Sequence, residues 1–217
     1  MQTFKQFLNE GPIPPEWDKA VYTPKISFAK RIKYAIERSK RLGTGSSRVA
    51  FNVPFEGRQT VLKIAKNVKG LAQNSKEADY GLYNMYPDIT IPLIDYDEQH
   101  DEPLWIHFEK AEKLTKPLFK KMTGFGFDDF TQLLINDEHR RNGKPSPYYI
   151  KSKISTEEIK KIEDSELYYD VVSLLGNFDI LAGDLSRLAN WGIYNNKPVI
   201  IDLGFRPDVA KQFYNKR

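Results

Sequence analysis

Near the C-terminus two apolar runs, Trp191-Gly192-Ile193-Tyr194 and Val199-Ile200-Ile201, flank Asn195-Asn196-Lys197-Pro198. Asparagine tolerates positive φ, so the pattern predicts a β-hairpin closed by a tight turn at Asn195-Asn196. Such a hairpin brings Asp184, Asn190 and Asp202 to one end of a small sheet. Upstream, Val49 to Val53 and Thr60 to Ala65 read as strands around a turn at Pro54-Phe55-Glu56-Gly57-Arg58. Ile89 to Asp95 and Pro103 to Phe108 read as two more, joined by an acidic, solvated loop from Asp95 to Glu102.

Helical spacing accounts for most of the rest. Pro24 to Leu42 is expected to be a helix capped by Ser27, with Phe28, Ile32, Ala35 and Ile36 on one face, solvated Lys and Arg on the other, and Gly43 as its stop. A second helix carries Gln73 to Met85. Lys113 to Met122 is basic, and Gly124-Phe125-Gly126-Phe127 is a loop before a helix capped by Asp128 over Phe130, Leu133, Leu134 and Ile135. Asn136 to Ser155 is polar and reads as a surface insertion. Thr156 to Ala182 reads as one long helix, with Ser155 and Glu158 as a capping box and Leu167, Val171, Leu174, Leu175 and Phe178 inside.

Composition narrows this picture. The chain has 217 residues, enough for one domain or two closely joined lobes, with 40% hydrophobic and 29% charged residues. It has no cysteine, which excludes disulfides and thiolate metal sites and suits a reducing cytosol. His100, His107 and His139 lack metal-site spacing and read as surface residues. A net charge of +4 suits an acidic ligand such as a nucleotide and is too weak to argue for nucleic acid. No apolar run has the length of a membrane span.

The candidate chemistry lies in two places. In Gly43-Thr44-Gly45-Ser46-Ser47, small residues let backbone N–H groups approach phosphate oxygens. A strand follows, where a dinucleotide fingerprint would have a helix, and no Gly-Lys-Ser/Thr ends the loop as in a Walker sequence. Lys63 sits inside the next apolar strand, where a charge needs a partner. Glu77 shares a helical stripe with Asn74 and Gly81, whereas Asp79 points elsewhere, so Glu77 is the expected partner. The second place is Asp184, Asn190 and Asp202: one carboxylate to orient a nucleophile, plus an amide and a carboxylate for magnesium.

In this order the motifs resemble those of protein kinases from about Leu42 to Phe205. The resemblance implies an α+β, bilobal kinase-like fold, with a mainly β N-lobe over 24–110 and a reduced helical C-lobe over 111–217. It implies ATP bound by Gly43, Thr44, Gly45, Ser46 and Ser47, by Lys63 paired with Glu77, and by backbone groups of Glu109 and Ala111 at a hinge. It implies Mg2+ held by Asn190 and Asp202, with Asp184 and Lys63 as catalytic residues. The sequence departs from the family in four respects. Arg48 replaces the third glycine of the loop, and Gly183 stands where arginine usually precedes the catalytic Asp. Five residues separate Asp184 from Asn190 where the pattern has four, so that loop must bulge. Finally, the chain runs thirteen positions past Gly204, which predicts no regulated activation segment. It resembles minimal, constitutively assembled kinases of phages and bacterial effectors.

Residues 1–23 read as an amphipathic leader and a Pro-rich linker. The leader resembles the capsid-targeting peptides of large tailed phages, whose proteases cut after Leu-x-Glu, here Leu8-Asn9-Glu10 before Gly11. That resemblance implies a virion-packaged protein, trimmed after Glu10 and then acting in the host cytoplasm. The expectation is a monomeric, ATP-dependent protein kinase, Ser/Thr rather than Tyr, acting on host proteins and away from membranes. Two alternatives stay open: transfer of AMP by the same fold, and a non-catalytic internal or inhibitory phage protein.

Overall fold

The computed structural model describes residues 17–79, 83, 85–145, 154–204 and 206–213. The leader, its Leu8-Asn9-Glu10 site and the Pro-rich break at 11–15 lie outside them, as do residues 146–153 of the polar stretch. The chain is α+β and forms two compact units, Met1–Tyr80 with Pro92–Lys110 and Gly81–Ile91 with Ala111–Arg217. The sequence reading carried the first lobe straight through residue 110. Ile89 to Ile91 instead pair with the second unit, where Ile200 donates its N–H to the Ile89 carbonyl and accepts one from Ile91.

The first unit is built on a five-stranded antiparallel sheet in the order β1-β2-β3-β5-β4. The strands are β1 (Lys40–Thr44), β2 (Arg48–Phe55), β3 (Arg58–Ala65), β4 (Leu93–Tyr96) and β5 (Trp105–Glu109). Alternate residues Val49, Phe51 and Val53 of β2 and Leu62 and Ile64 of β3 face the core and are buried. Glu56 and Gly57 turn β2 into β3 with φ of 47° and 77°, the pairing of two positive values that matches a hairpin's right-handed twist. The turn is therefore only two residues long, and Pro54 and Phe55 belong to the strand.

Helix α1 (Phe28–Arg38) has the expected cap, with the Ser27 hydroxyl accepting from the Lys30 N–H, and starts after it, not at Pro24. It stops at Arg38, well before Gly43, because the next residues pair with β2 as strand β1. Its buried face also sits further round than the apolar pattern suggested. Ala35 and Arg31 are buried and Ile36 is about half exposed. Arg31 can turn inward because one guanidinium nitrogen donates to the carbonyls of Thr23 and Ile26 at 2.7 and 2.8 Å.

Two further polar residues are inside rather than at the surface. His107 is fully buried in β5, with Nε2 2.6 Å from the Thr60 hydroxyl. Since that hydroxyl donates to the Val53 carbonyl, the contact assigns the imidazole proton to Nε2. In the acidic loop, Asp97 is buried and accepts from the Leu104 N–H and from His100.

The second unit has a small antiparallel sheet, β6 (Glu112–Lys113), β7 (Trp191–Tyr194) and β8 (Lys197–Ile200), and is otherwise helical. Asn195 and Asn196 take φ of 48° and 60°, so the hairpin closes in two residues. Helix α2 (Val68–Glu77) belongs to the first unit. Among the described residues, those of the second are α3 (Lys116–Thr123), α4 (Phe127–Arg141), α5 (Thr156–Glu163), α6 (Glu166–Phe178), α7 (Ala182–Leu185) and α8 (Pro207–Phe213).

The basic stretch forms α3 because Thr115 caps it, Pro117 suits its first turn, and Gly124 ends it at φ 83°. Gly126, not Asp128, caps α4, which continues through Arg141, so residues 136–141 are helix and not insertion. The expected long helix is broken at Asp164-Ser165. Ser165 turns its hydroxyl to the Tyr168 N–H and starts α6 afresh, since a Ser side chain satisfies helix-start donors that a continuous helix would not leave. Phe119, Phe125, Phe127, Phe130 and Trp191 pack in the core of this unit, Phe125 stacked on Phe130 and the other pairs edge-to-face or tilted. No helix among the described residues is long and apolar enough to cross a membrane.

Candidate functional site

In the first unit the glycine loop is the β1–β2 connection. Its start is open: Gly43, Thr44 and Gly45 are exposed, and a Cβ at Gly43 would meet nothing within 4 Å. The Gly45 N–H is used within the turn, donating to the Arg48 carbonyl at 2.9 Å. The end of the loop is fastened under α2. Asn67 caps that helix through the Gly70 N–H and donates its Nδ2 to the Ser46 carbonyl at 3.0 Å. The Ser47 carbonyl accepts from Lys66, and its hydroxyl is hydrogen-bonded to Gln73. A Cβ at Gly70 would lie 2.3 Å from the Ser47 carbonyl oxygen, so only glycine lets the helix sit there. The Ser47 side chain is thereby turned into the protein.

Lys63 projects from β3, between Ala50 of β2 and Ile106 of β5 in register. Its ammonium lies 3.0 and 3.3 Å from the two carboxylate oxygens of Glu77 and 4.6 Å from the centre of the Phe108 ring. Glu77 is fully buried at the end of α2, and Asp79 lies exposed beyond it. A second cation also reaches Glu77. Arg48 places its two terminal nitrogens 2.7 and 3.1 Å from the two oxygens, a bidentate fork. Asn74, one turn earlier, accepts from the same guanidinium at 3.4 Å and donates to the Pro103 carbonyl. Sequence reasoning treated Arg48 as a misplaced residue of the glycine loop. The signal was the Asn74–Glu77 stripe, two acceptors on one helix face opposite the start of β2.

Glu109, expected to act through its backbone with a side chain that matters little, also uses that side chain. Its carboxylate takes Arg58 in a fork, Nη2 2.7 Å from one oxygen and Nε 3.2 Å from the other, and its N–H donates to the Pro92 carbonyl. Ala111, in the second unit, packs on Gly192 so closely that a Cβ there would come 2.5 Å from that of Ala111.

In the second unit Asp184 sits on the single turn α7, nine-tenths buried, with Arg187 3.7 Å from one carboxylate oxygen. Glu138 of α4 accepts from the Ala182 N–H at 3.2 Å and so fixes the start of that turn. The extra residue between Asp184 and Asn190 is taken up by a 3-10 turn over Leu188–Asn190. That turn lets Asn190 reach back: its Nδ2 donates to the Asp184 carbonyl at 2.9 Å. The Asn190 carbonyl accepts from Ile201 at 2.8 Å, one residue before Asp202. Asp202 accepts from the Gly204 N–H, a local turn that orients its carboxylate. Asn190 thus ties together the segments carrying the two acids.

With its Nδ2 committed, Asn190 presents its amide oxygen. An amide oxygen and a carboxylate, as Asn190 and Asp202 carry, are hard donors of the kind that could hold magnesium. Among the described residues there is no cluster of three or more His, Cys, Asp and Glu to form a metal cage of its own. A cavity of about 620 Å³ in the first unit is lined by Phe28, Arg31, Leu71, His100 and Leu104 and includes none of the candidate site residues, Gly43 to Ser47, Lys63, Glu77, Glu109, Ala111, Asp184, Asn190 and Asp202.

An antiparallel β unit holding the Lys63–Glu77 ion pair and a mainly helical unit carrying Asp184, Asn190 and Asp202 make up an α+β chain. No family model matches the chain, and no curated protein does. Among solved structures it is similar to aminoglycoside phosphotransferase APH(4)-Ia, at 17% identity and a TM-score of 0.29, over 51% of this chain and 37% of that one. It is similar also to APH(2")-IIa, solved as a ternary complex with streptomycin and ATP, at 14% identity and a TM-score of 0.31, over 82% of this chain and 70% of that one. The chain therefore spans just over a third of the length of the first of these enzymes. At such values the α+β assignment rests on the strands and helices themselves.

Proposed function

We propose that this chain is an ATP-dependent phosphotransferase that moves the γ-phosphoryl group of Mg2+–ATP to a hydroxyl of a protein substrate. The observation that supports it best is the Lys63–Glu77 pair, in which the carboxylate is fully buried and the ammonium partly so. A lysine on a central strand, held by a carboxylate from the following helix, is costly to desolvate and well placed to meet phosphate. Bound ATP supplies the phosphoryl group, and magnesium neutralises its charge.

The chain's own residues do the rest. Lys63 steadies the α- and β-phosphates, and the open part of the loop, Gly43 to Ser46, covers them. Asn190 and Asp202 give oxygen ligands to magnesium. Asp184 accepts the hydrogen bond of the substrate hydroxyl and takes its proton as the new P–O bond forms and ADP leaves. Most of the rate gain then comes from positioning and charge neutralisation.

The substrate reading, a host protein met in the cytoplasm by a monomeric phage-encoded enzyme, is supported by the leader's likeness to capsid-targeting peptides. The test is transfer of label from γ-labelled ATP to a bacterial lysate, with aminoglycosides supplied in a parallel reaction. Label in protein that disappears with Asp184→Ala and Asp202→Ala is the expected result. Equal labelling by the wild type and both variants would overturn the assignment, and label only in the antibiotic would overturn the protein substrate. Transfer from α-labelled but not γ-labelled ATP would mean AMP transfer.

A further inference from the structure

Helix α2 is attached to its sheet at both ends, and at its C-terminal end two cations share one carboxylate. Lys63 offers Glu77 a single ammonium from β3. Arg48 offers a planar fork from the first residue of β2 and also engages Asn74 on the same helix face. Both Arg48 and Glu77 are buried, where a charge-assisted fork is directional and little screened. A flexible ammonium fixes a partner's position less firmly than a guanidinium held at two points.

We propose that Arg48 is a positioning residue: it anchors Glu77, and with it α2, independently of Lys63. Helix seating and ligand contact are then carried by different cations. Resting on the phosphotransferase reading in this one respect, the arrangement lets Lys63 turn toward a phosphate without unseating the helix. Such a chain needs no separate event to bring α2 into place. Arg48 occupies the position where the kinase loop has its third glycine, so the departure from that pattern is where the anchor stands.

The test is amide hydrogen exchange on the full chain without nucleotide, comparing Arg48→Met and Lys63→Met. Each variant leaves Glu77 one of these two cations, so neither strands the carboxylate. Arg48→Met is expected to speed exchange in residues 71–78 by about tenfold, a local opening made easier by about 1.4 kcal/mol. Lys63→Met is expected to change it by less than about threefold, and the β2–β3 strands should hold their protection in both.

Arg48→Lys restores charge without the fork and is expected not to restore protection. Full rescue by lysine, equal loosening by Lys63→Met, or uniform loosening of the whole unit in Arg48→Met would each overturn the anchor. Because nucleotide is absent, this result is independent of ATP binding. A wild-type protein that Mg2+–ATP fails to stabilise against heat would instead overturn the phosphotransferase reading.

Discussion

Asn190 donates its side-chain Nδ2 to the backbone carbonyl of Asp184 at 2.9 Å, across the one-residue excess that separates this chain from the kinase spacing. The excess does not push the amide away from the acid, because the 3-10 turn at Leu188–Asn190 absorbs it. The bond also dictates which end of the amide remains for a cation. Asn190→Asp keeps an oxygen ligand but loses the donor and sets a carboxylate against a carbonyl. The expected cost is about 1–2 kcal/mol, a fall in Tm of about 3–6 °C by thermal denaturation. An unchanged Tm would mean that the turn holds itself.

Two glycines near the loop should differ sharply in what alanine costs. Gly43→Ala adds a methyl group into open space without positive φ, so stability should move by no more than about 0.5 kcal/mol. A loss of Mg2+–ATP affinity in that variant would then support the proposed contact of the loop with phosphate, and unchanged affinity would count against it. Gly70→Ala pushes a Cβ into the Ser47 carbonyl and should cost about 1–3 kcal/mol. Paired urea denaturation curves measure both. A Gly70→Ala protein as stable as wild type would show that the helix can lift off the loop at no cost.

How far the sequence revealed this arrangement depends on the range of the interaction. The Asn195-Asn196 hairpin, the Glu56-Gly57 hairpin and the Ser27 and Ser155 caps are local, and each was readable from a few neighbouring residues. The pairing of β1 with β2 was not, because Lys40 to Thr44 is exposed throughout and has no apolar alternation to separate a strand from a helix end. The Arg31 and His107 interiors depend on carbonyl and hydroxyl partners distant in the sequence or set by a loop, which no hydrophobic pattern encodes. Asp184, Asn190 and Asp202 were visible as a set because a hairpin of short span joins them. Arg48 was visible only as a breach of a motif, since its partner lies 29 residues away.

The break between α5 and α6 makes a prediction about capping. Ser155 and Ser165 each accept from the N–H three residues on, so both begin helices. Ser165→Ala should cost about 1 kcal/mol, as a true N-cap does, although the position lies inside what reads as one continuous helix. Were the two helices in fact one, alanine there would be neutral or stabilising, because it is the better helix former. The sign of the change in denaturation midpoint decides between them.

Tyr22 should make the protein both less stable than it could be and sensitive to alkali. Its ring is buried between Trp17 and Tyr34, and its hydroxyl has no hydrogen-bond partner among the described residues. Tyr22→Phe removes a desolvated hydroxyl and keeps the ring contacts, so it should raise stability at pH 7 by about 1 kcal/mol. Burial, and after it the neighbouring Tyr34, pushes the phenol far above its ordinary value, with Arg38 and Arg31 pulling weakly the other way. The unfolded chain releases this proton near pH 10 while the folded protein retains it. Stability from Tyr22 is therefore complete below pH 10 and declines above it, by up to about 1.4 kcal/mol for each pH unit. Tyr168, also raised chiefly by burial, adds a slope of the same sign. Denaturation midpoints from pH 8 to 11 should fall less steeply for Tyr22→Phe than for wild type, and parallel curves would mean that the Tyr22 hydroxyl is hydrated in the folded protein.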